Sequence, residues 1–298
     1  MGCSMKKKFY TFSIVGLGMV GTAIGSLLKN SGHKIAALYD KSPTALKRAK
    51  KYIGGINLHD AKEAPLHGEC ILITTPDDII SSVCREIALS KAIKGKYVFH
   101  MSGAGGVDLL FAAKKAGAYV GSIHPLQSFS SIANAVKNIP GSYFGITATG
   151  KAKPIAKNIV GDLNGIPLFI SDAQKPLYHA AACFASNYLV TLLNTVESIY
   201  QTLGFKNRQA RKAYLPLVYG SLKNIERSGP VKALTGPIAR GDTSTIQKHI
   251  STIKRNSPGH LGLYYALGLA TVDTALRKKS INEKQANQIR NILAGVKS

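Results

Sequence analysis

Tryptophan is absent from the 298 residues, cysteine occurs four times, and acidic residues number 15 against 39 basic ones. Cys3, Cys70, Cys84 and Cys183 form no CxxC pair and no ligand cluster with histidine, so the sequence implies reduced thiols, no disulfide framework and no metal site. No apolar run approaches the roughly 20 residues needed to cross a bilayer. The apolar core of a signal peptide is also missing. After Lys6-Lys7-Lys8 comes a short strand pattern and a glycine loop, so a cytoplasmic protein is expected. Gly2-Cys3 hints at acylation, but Lys6 stands where the myristoylation pattern wants Ser or Thr. The segment ahead of Met5 therefore reads as an untidy leader.

The shortage of acids leaves a formal charge of +24. The basic residues are not gathered into one stripe. Residues 1–172 carry 21 Lys+Arg against 10 Asp+Glu, and residues 173–298 carry 18 against 5. With no nucleic-acid-binding motif, this reads as a solvated basic surface that steers anionic substrates and cofactor phosphates; no specific nucleic-acid or membrane partner is expected. Apolar residues make up 45% of the chain, enough for a proper core, and the length suggests two domains.

Phe12-Ser13-Ile14-Val15 is a β-rich run leading directly into Gly16-Leu17-Gly18-Met19-Val20-Gly21. A helical pattern follows to Asn30, and then a second buried strand, Lys34 to Tyr39, tipped by Asp40. Strand, GxGxxG, helix, strand and acid in this order form a dinucleotide-binding fingerprint. Gly16 permits the tight turn, Gly18 lets backbone approach a pyrophosphate, and Gly21 lets the helix pack on the sheet. The helix N-terminus offers free N–H groups to the phosphates. Asp40 suits a ribose 2′-hydroxyl, which favours NAD. Lys41, Ser42 and Thr44, with Lys47 and Arg48 a turn later, suit a 2′-phosphate, provided that Asp40 turns away. The balance falls on NADP, with NAD possible.

The α/β alternation continues through strands at 69–75, 97–101 and 119–123. Thr75-Pro76, Ser102-Gly103 and His124-Pro125 stand at their carboxyl ends, where open parallel sheets bind ligands, and are candidates to line a nicotinamide pocket. Asp77 or Asp78 is placed to cap the next helix. Two further strands, 142–147 and 167–170, flank a helix at 154–163. After Asp172 the β signal stops. The fold class is α/β: an N-terminal doubly wound Rossmann sheet, residues 1–172, followed by an all-α domain, residues 173–298.

The first helix of the second half is expected to run unbroken over 173–203, with others near 208–227, 243–254, 258–278 and 281–294. It carries His179, Cys183 and Asn187 at i, i+4 and i+8, roughly on one face. Asn187 is an amide in an apolar stretch and needs partners; it reads as a substrate contact or as an amide bonded within a helical core. His179 lies about 12 Å from it along the axis, so the two are not expected to touch one reacting atom. Between two helices, Leu234-Thr235-Gly236-Pro237-Ile238-Ala239-Arg240-Gly241-Asp242 offers Arg240 as a carboxylate clamp and Thr235 as a hydroxyl donor, while Asp242 suits an N-cap.

Three segments, His124-Pro125-Leu126-Gln127-Ser128-Phe129, His179 through Leu189, and Leu234 through Asp242, together resemble one family over nearly the whole chain. Its members join a Rossmann-like domain to a helical C-terminal domain of unknown function. More broadly the chain is similar to the superfamily of 6-phosphogluconate dehydrogenase, pyrroline-5-carboxylate reductase, prephenate dehydrogenase and ketopantoate reductase. The resemblance implies a homodimer and an NAD(P)-dependent reductase of a small 2-keto acid, ketopantoate foremost. A cyclic imine or a prephenate-like acid is the alternative substrate, and a non-catalytic dinucleotide sensor the alternative role. In the superfamily's 3-hydroxyacid enzymes a Lys four residues before a helix Asn often serves as acid/base. Cys183 occupies that position relative to Asn187, which leaves His124 or His179 as the expected proton donor.

Overall fold

Residues 8–294 are described by a computed structural model. The leader, with Gly2 and Cys3, lies outside them. The chain divides into two compact units, Met1–Ser186 and Asn187–Ser298.

The first unit begins with β1 (Thr11–Val15), α1 (Met19–Asn30), β2 (Lys34–Tyr39), α2 (Pro43–Ile53) and the short β3 (Ile56–Asn57). It continues through α3 (Ala64–His67), β4 (Cys70–Ile73), α4 (Ile80–Ala88), β5 (Tyr97–His100), α5 (Phe111–Lys115) and β6 (Tyr119–Pro125). Then come α6 (Ile132–Asn138), β7 (Tyr143–Ala148), α7 (Ala152–Asp162), β8 (Ile166–Phe169) and α8 (Lys175–Cys183). The strands form one sheet in the order β3-β2-β1-β4-β5-β6-β7-β8. All pair in parallel except β6 and β7, which run antiparallel with His124 opposite Gly145.

The strands are buried on both faces because their residues alternate between two cores. Phe12, Ile14, Leu72 and Phe99 face one core with α1, α2, α6 and α7. Val15, Ile71, Ile73 and Val98 face the other with α4 and α5. This is the doubly wound arrangement, and its strand order reverses between β1 and β4, where the carboxyl ends of the strands leave a crevice. The β signal ends where expected, yet the compact unit runs on to Ser186. Lys175 and Tyr178 of α8 explain this, since both bond to residues at the ends of β5 and β6.

The unbroken helix expected over 173–203 is instead four pieces. A 3-10 turn over Asp172–Gln174, fastened by a Ser171/Gln174 capping box, precedes α8. A π-helical turn, Phe184–Tyr188, then leads to α9 (Leu189–Thr202). The π turn interrupts the regular helical period on which the i, i+4, i+8 spacing of His179, Cys183 and Asn187 relies.

The second unit is all helical, with α10 (Asn207–Ala233), α11 (Thr243–Asn256), α12 (Leu261–Lys278) and α13 (Glu283–Leu293) following α9. Helix α10 continues beyond the expected 227 by bending at Gly229, whose φ of 76° only glycine adopts readily, just ahead of Pro230. Ile246, Val272, Ala275, Ile289 and Leu293 form the core of this unit, from α11, α12 and α13. Among the described residues no helix is long and apolar enough to cross a membrane.

Candidate active site

The turn from β1 to α1 depends on two contacts that exclude side chains. Gly16 adopts φ +96°, and a Cβ there would stand 2.8 Å from the Thr74 and Thr75 backbone. A Cβ on Gly21 would collide with the Gly16 carbonyl and the Thr74 hydroxyl, which bond to each other. Gly18 differs: a Cβ there would meet nothing within 4 Å. Its surroundings are open, and no side chain caps α1, which begins at Met19 and Val20 with no acid in its first turn. That leaves an uncapped helix N-terminus facing free space, the condition for cradling an anion.

Beside it lies a cavity of about 220 Å³ lined by Gly16, Gly18, Tyr39, Asp40, Lys41, Thr75, Pro76 and Ile79, among others. Thr75 Oγ1 is buried with no partner among the described residues, an orphaned hydroxyl in the lining. Asp40 does not present a free carboxylate to the cavity. One oxygen accepts from the Leu17 amide at 2.6 Å and the other from the Ser42 amide at 2.7 Å. Ser42 Oγ caps α2 by accepting from the Ala45 amide at 3.3 Å. Arg48 donates to the Leu17 carbonyl at 3.2 Å, so Asp40 and Arg48 hold the two successive peptides that flank Leu17. The open cradle and the orphaned hydroxyl fit a bound dinucleotide.

A second cluster occupies the carboxyl ends of β5 and β6. His100 Nε2 donates to the Gly106 carbonyl at 2.9 Å while its Nδ1 accepts from the Ser102 amide at 3.1 Å. Ser102 Oγ donates to Asp77 at 2.5 Å and accepts from the Gly105 amide at 2.8 Å. The cap expected from Asp77 or Asp78 is therefore not made: Pro76 starts the turn without a side-chain bond, and Asp77 holds the serine. Gly103 lies against His124 and His179; a Cβ there would clash with the His179 ring and stand 2.8 Å from His124 Nε2. The two imidazoles meet edge to face with centroids 5.9 Å apart. His179 Nδ1 is 4.0 Å from Cys183 Sγ.

Lys175, the first residue of α8, was not among the residues expected here. It is 1% exposed, and its ammonium donates to the Ser102 carbonyl at 3.0 Å and to Ser122 Oγ at 2.8 Å. Among the described residues no carboxylate is bonded to it. Asp77 accepts from Ser102, and Asp172 accepts from the Val107 amide at 2.9 Å. Burial pushes the amine down from 10.5 to about 8, against the pull of Asp172 and Asp77. Nothing in the sequence singles it out: Lys175 stands four residues before His179, not before the helix Asn. A lysine at that spacing was sought ahead of Asn187, where Cys183 stands.

The same burial acts on His124. Desolvation first, then the charges of Lys175 and His179, push it from 6.5 down to about 4. A ring so lowered is neutral at pH 7 and holds no surplus proton. For Asn187 the reading as an amide bonded within a helical core does not hold. It is exposed within the π turn and is not a buried amide. In the second unit, Thr235 and Arg240 are exposed, and Arg240 lies 4.0 Å from Asp242, which caps α11 by accepting from the Thr245 amide at 3.0 Å.

A model described as a Rossmann-like domain matches residues 2–125, and one described as a domain of unknown function, DUF2520, matches residues 142–271. No curated protein matches the sequence. Among solved structures, a protein of Thermotoga maritima is 25% identical, covering 90% of this chain and 99% of its own at a TM-score of 0.71. A Bacteroides fragilis protein provisionally described as an NADP oxidoreductase is 18% identical, covering 89% and 98% at a TM-score of 0.74. A reductive aminase from Aspergillus terreus, solved with NADPH and ethyl-5-oxohexanoate, is 12% identical, covering 97% and 93% at 0.60. The chain thus shares its fold with these proteins.

Proposed function

We propose that the chain is an NADP(H)-dependent reductase, with NAD as the second choice, acting on the keto group of a small 2-keto acid, ketopantoate foremost. The observation that carries the reading is a buried ammonium with no carboxylate partner among the described residues, in the same unit as an open glycine cradle. A buried unpaired charge is costly and persists where a site uses it.

In this reading the amides of Gly16 to Gly21 hold the pyrophosphate, and the cavity by Asp40 and Lys41 takes the adenosine end. Thr75, Pro76, Ser102 and Gly103 line the nicotinamide end. Asp40 spends both oxygens on loop amides, which leaves Lys41 and Ser42 to receive a 2′-phosphate. Bound there, the nicotinamide supplies the hydride. Lys175 Nζ holds the proton that the developing alkoxide takes, and with an amine near 8 it is charged at neutral pH and still able to give the proton up. NADP-linked proteins of the same fold support the choice of cofactor. A second reading takes a cyclic imine as the substrate; an imine reductase from Pseudomonas sp. with the same fold favours it.

The reading includes a homodimer. Helix α9 has no buried residue, and Val190, Leu203 and Leu217 are about two-thirds or more exposed, so apolar surface on α9 and α10 is left for a second copy. Light scattering behind a sizing column tests this; a monomer at micromolar concentration contradicts it. The catalytic reading is tested by titrating NADPH and NADH, then following NADPH oxidation with ketopantoate, other 2-keto acids and cyclic imines. Folded protein that binds neither nucleotide, or turns over none of the panel, overturns it.

A further inference from the structure

Tyr178 is not used by the chemistry above, yet it bonds to a residue in the middle of the cluster. Its hydroxyl lies 3.0 Å from His124 Nδ1, and the rings cross edge to face at 5.6 Å and 89°. It fits there because Gly145, opposite His124 on β7, has no side chain; a Cβ would stand 2.9 Å from the Tyr178 oxygen. At the other end of the imidazole, Nε2 faces Gly103, again with no side chain between them. Among the described residues Nε2 makes no hydrogen bond. Two glycines thus let one ring reach from a phenol packed on β7 to the segment that follows β5.

An imidazole bonded at one nitrogen presents the opposite property at the other. If Nδ1 accepts, Nε2 carries the proton and can donate to an oxygen. If Nδ1 donates, Nε2 is a bare acceptor and repels one. The phenol is well suited to donate. Burial raises its pKa, so it keeps its proton, and the Gly145 amide faces its oxygen as a donor. The charged groups around the ring are Lys175 and Asp77, with His100 and His179 as further titratable neighbours.

We propose that Tyr178 is a positioning residue whose hydroxyl donates to His124 Nδ1, fixing the ring proton on Nε2 so that a neutral imidazole hydrogen-bonds the substrate's carbonyl oxygen. This rests on the reductase reading for the identity of the oxygen, though not for the tautomer. Polarisation by a neutral imidazole complements the Lys175 ammonium: one group donates a hydrogen bond throughout and the other gives up its proton.

The decisive measurement is a long-range proton–nitrogen spectrum of the histidine rings in the whole protein at pH 7, with the His124 signals identified by their loss in His124→Gln. A protonated Nε2 and a bare Nδ1 are expected in the wild type, and a shift towards a mixture of tautomers in Tyr178→Phe. A protonated Nδ1 in the wild type, or an unchanged ring in Tyr178→Phe, overturns the proposal. Neither result needs turnover, so an inactive protein with the expected spectrum would remove the reductase reading and leave the tautomer assignment standing. With an active enzyme, Tyr178→Phe should lower kcat about tenfold with KM little changed, and His124→Ala should lower it by about 10²–10³, the loss typical of one missing oxyanion donor. An equal kcat in Tyr178→Phe also overturns the proposal.

Discussion

Replacing Lys175 with methionine should make the protein more stable and inactive at once. In the folded protein the amine falls from 10.5 to about 8, so keeping it charged at pH 7 costs about 3 kcal/mol relative to the unfolded chain. Methionine removes that cost and fills a similar volume. Against this stand two lost hydrogen bonds, to the Ser102 carbonyl and Ser122 Oγ, at about 1 kcal/mol each. Neither acceptor is orphaned, because Ser122 Oγ already donates to the Ser102 carbonyl at 3.2 Å. The net is a gain of about 1–2 kcal/mol at pH 7. The sign of the pH dependence is also fixed. The folded amine is depressed, so the unfolded chain binds more protons between about 8 and 10.5, and wild-type stability rises with pH across that window. The variant lacks this rise and its advantage fades. Urea unfolding of both proteins at pH 7 and pH 10 measures it. A variant less stable than wild type at pH 7, or an advantage unchanged at pH 10, would refute the reasoning.

At the acid end, His100 and His124 are both lowered by burial from 6.5 to about 4, so their contribution is complete above 6.5 and lost as pH falls towards 4. Each should cost about 2 kcal/mol between pH 7 and pH 5 in urea titrations, and His124→Gln should flatten that dependence by its share. Gly18→Ala should leave the melting temperature within a few degrees, because its Cβ meets only open space, and weaken NADPH binding at least tenfold by calorimetry. Gly16→Ala should lower the melting temperature as well, since φ +96° and the Thr74 backbone both resist a side chain. The rate of keto reduction should fall tenfold per pH unit above about 8, where Lys175 loses its proton; a rate flat to pH 10 would place the acid elsewhere.

The sheet and the cradle were legible because each rests on a local pattern. Apolar strand runs, the spacing of Gly16, Gly18 and Gly21, and Asp40 at a strand tip are all read within about thirty residues of chain. The antiparallel turn of β7 was not legible, since a strand's direction depends on its partner. The catalytic cluster was only half visible. His124 stood out at a strand end and His179 on the helix that follows the sheet, and the structure does bring them together. The protonation of His124 could not be foreseen, because burial decides it and burial is a property of the packed cluster. Lys175 was missed for the opposite reason. On a chain with 39 basic residues one more lysine at a helix start reads as surface, and only its burial beneath Ser102 and Ser122 distinguishes it.

The charges of the cluster bear on which double bond the proposed reductase would take. Its cation is Lys175, its histidine His124 is neutral at pH 7, and the nearby carboxylates are engaged, Asp77 by the Ser102 hydroxyl and Asp172 by the Val107 amide. A carbonyl enters uncharged at the reacting atom and leaves as an alkoxide, so negative charge appears where the ammonium stands. An iminium enters positively charged and becomes a neutral amine, so the ammonium would oppose binding and gain nothing during the reaction. Like-charge repulsion in a water-poor site is worth several kcal/mol, more than the differences in shape between a small keto acid and a small cyclic imine. The electrostatics therefore weigh towards the keto acid, although a reductive aminase shares the fold.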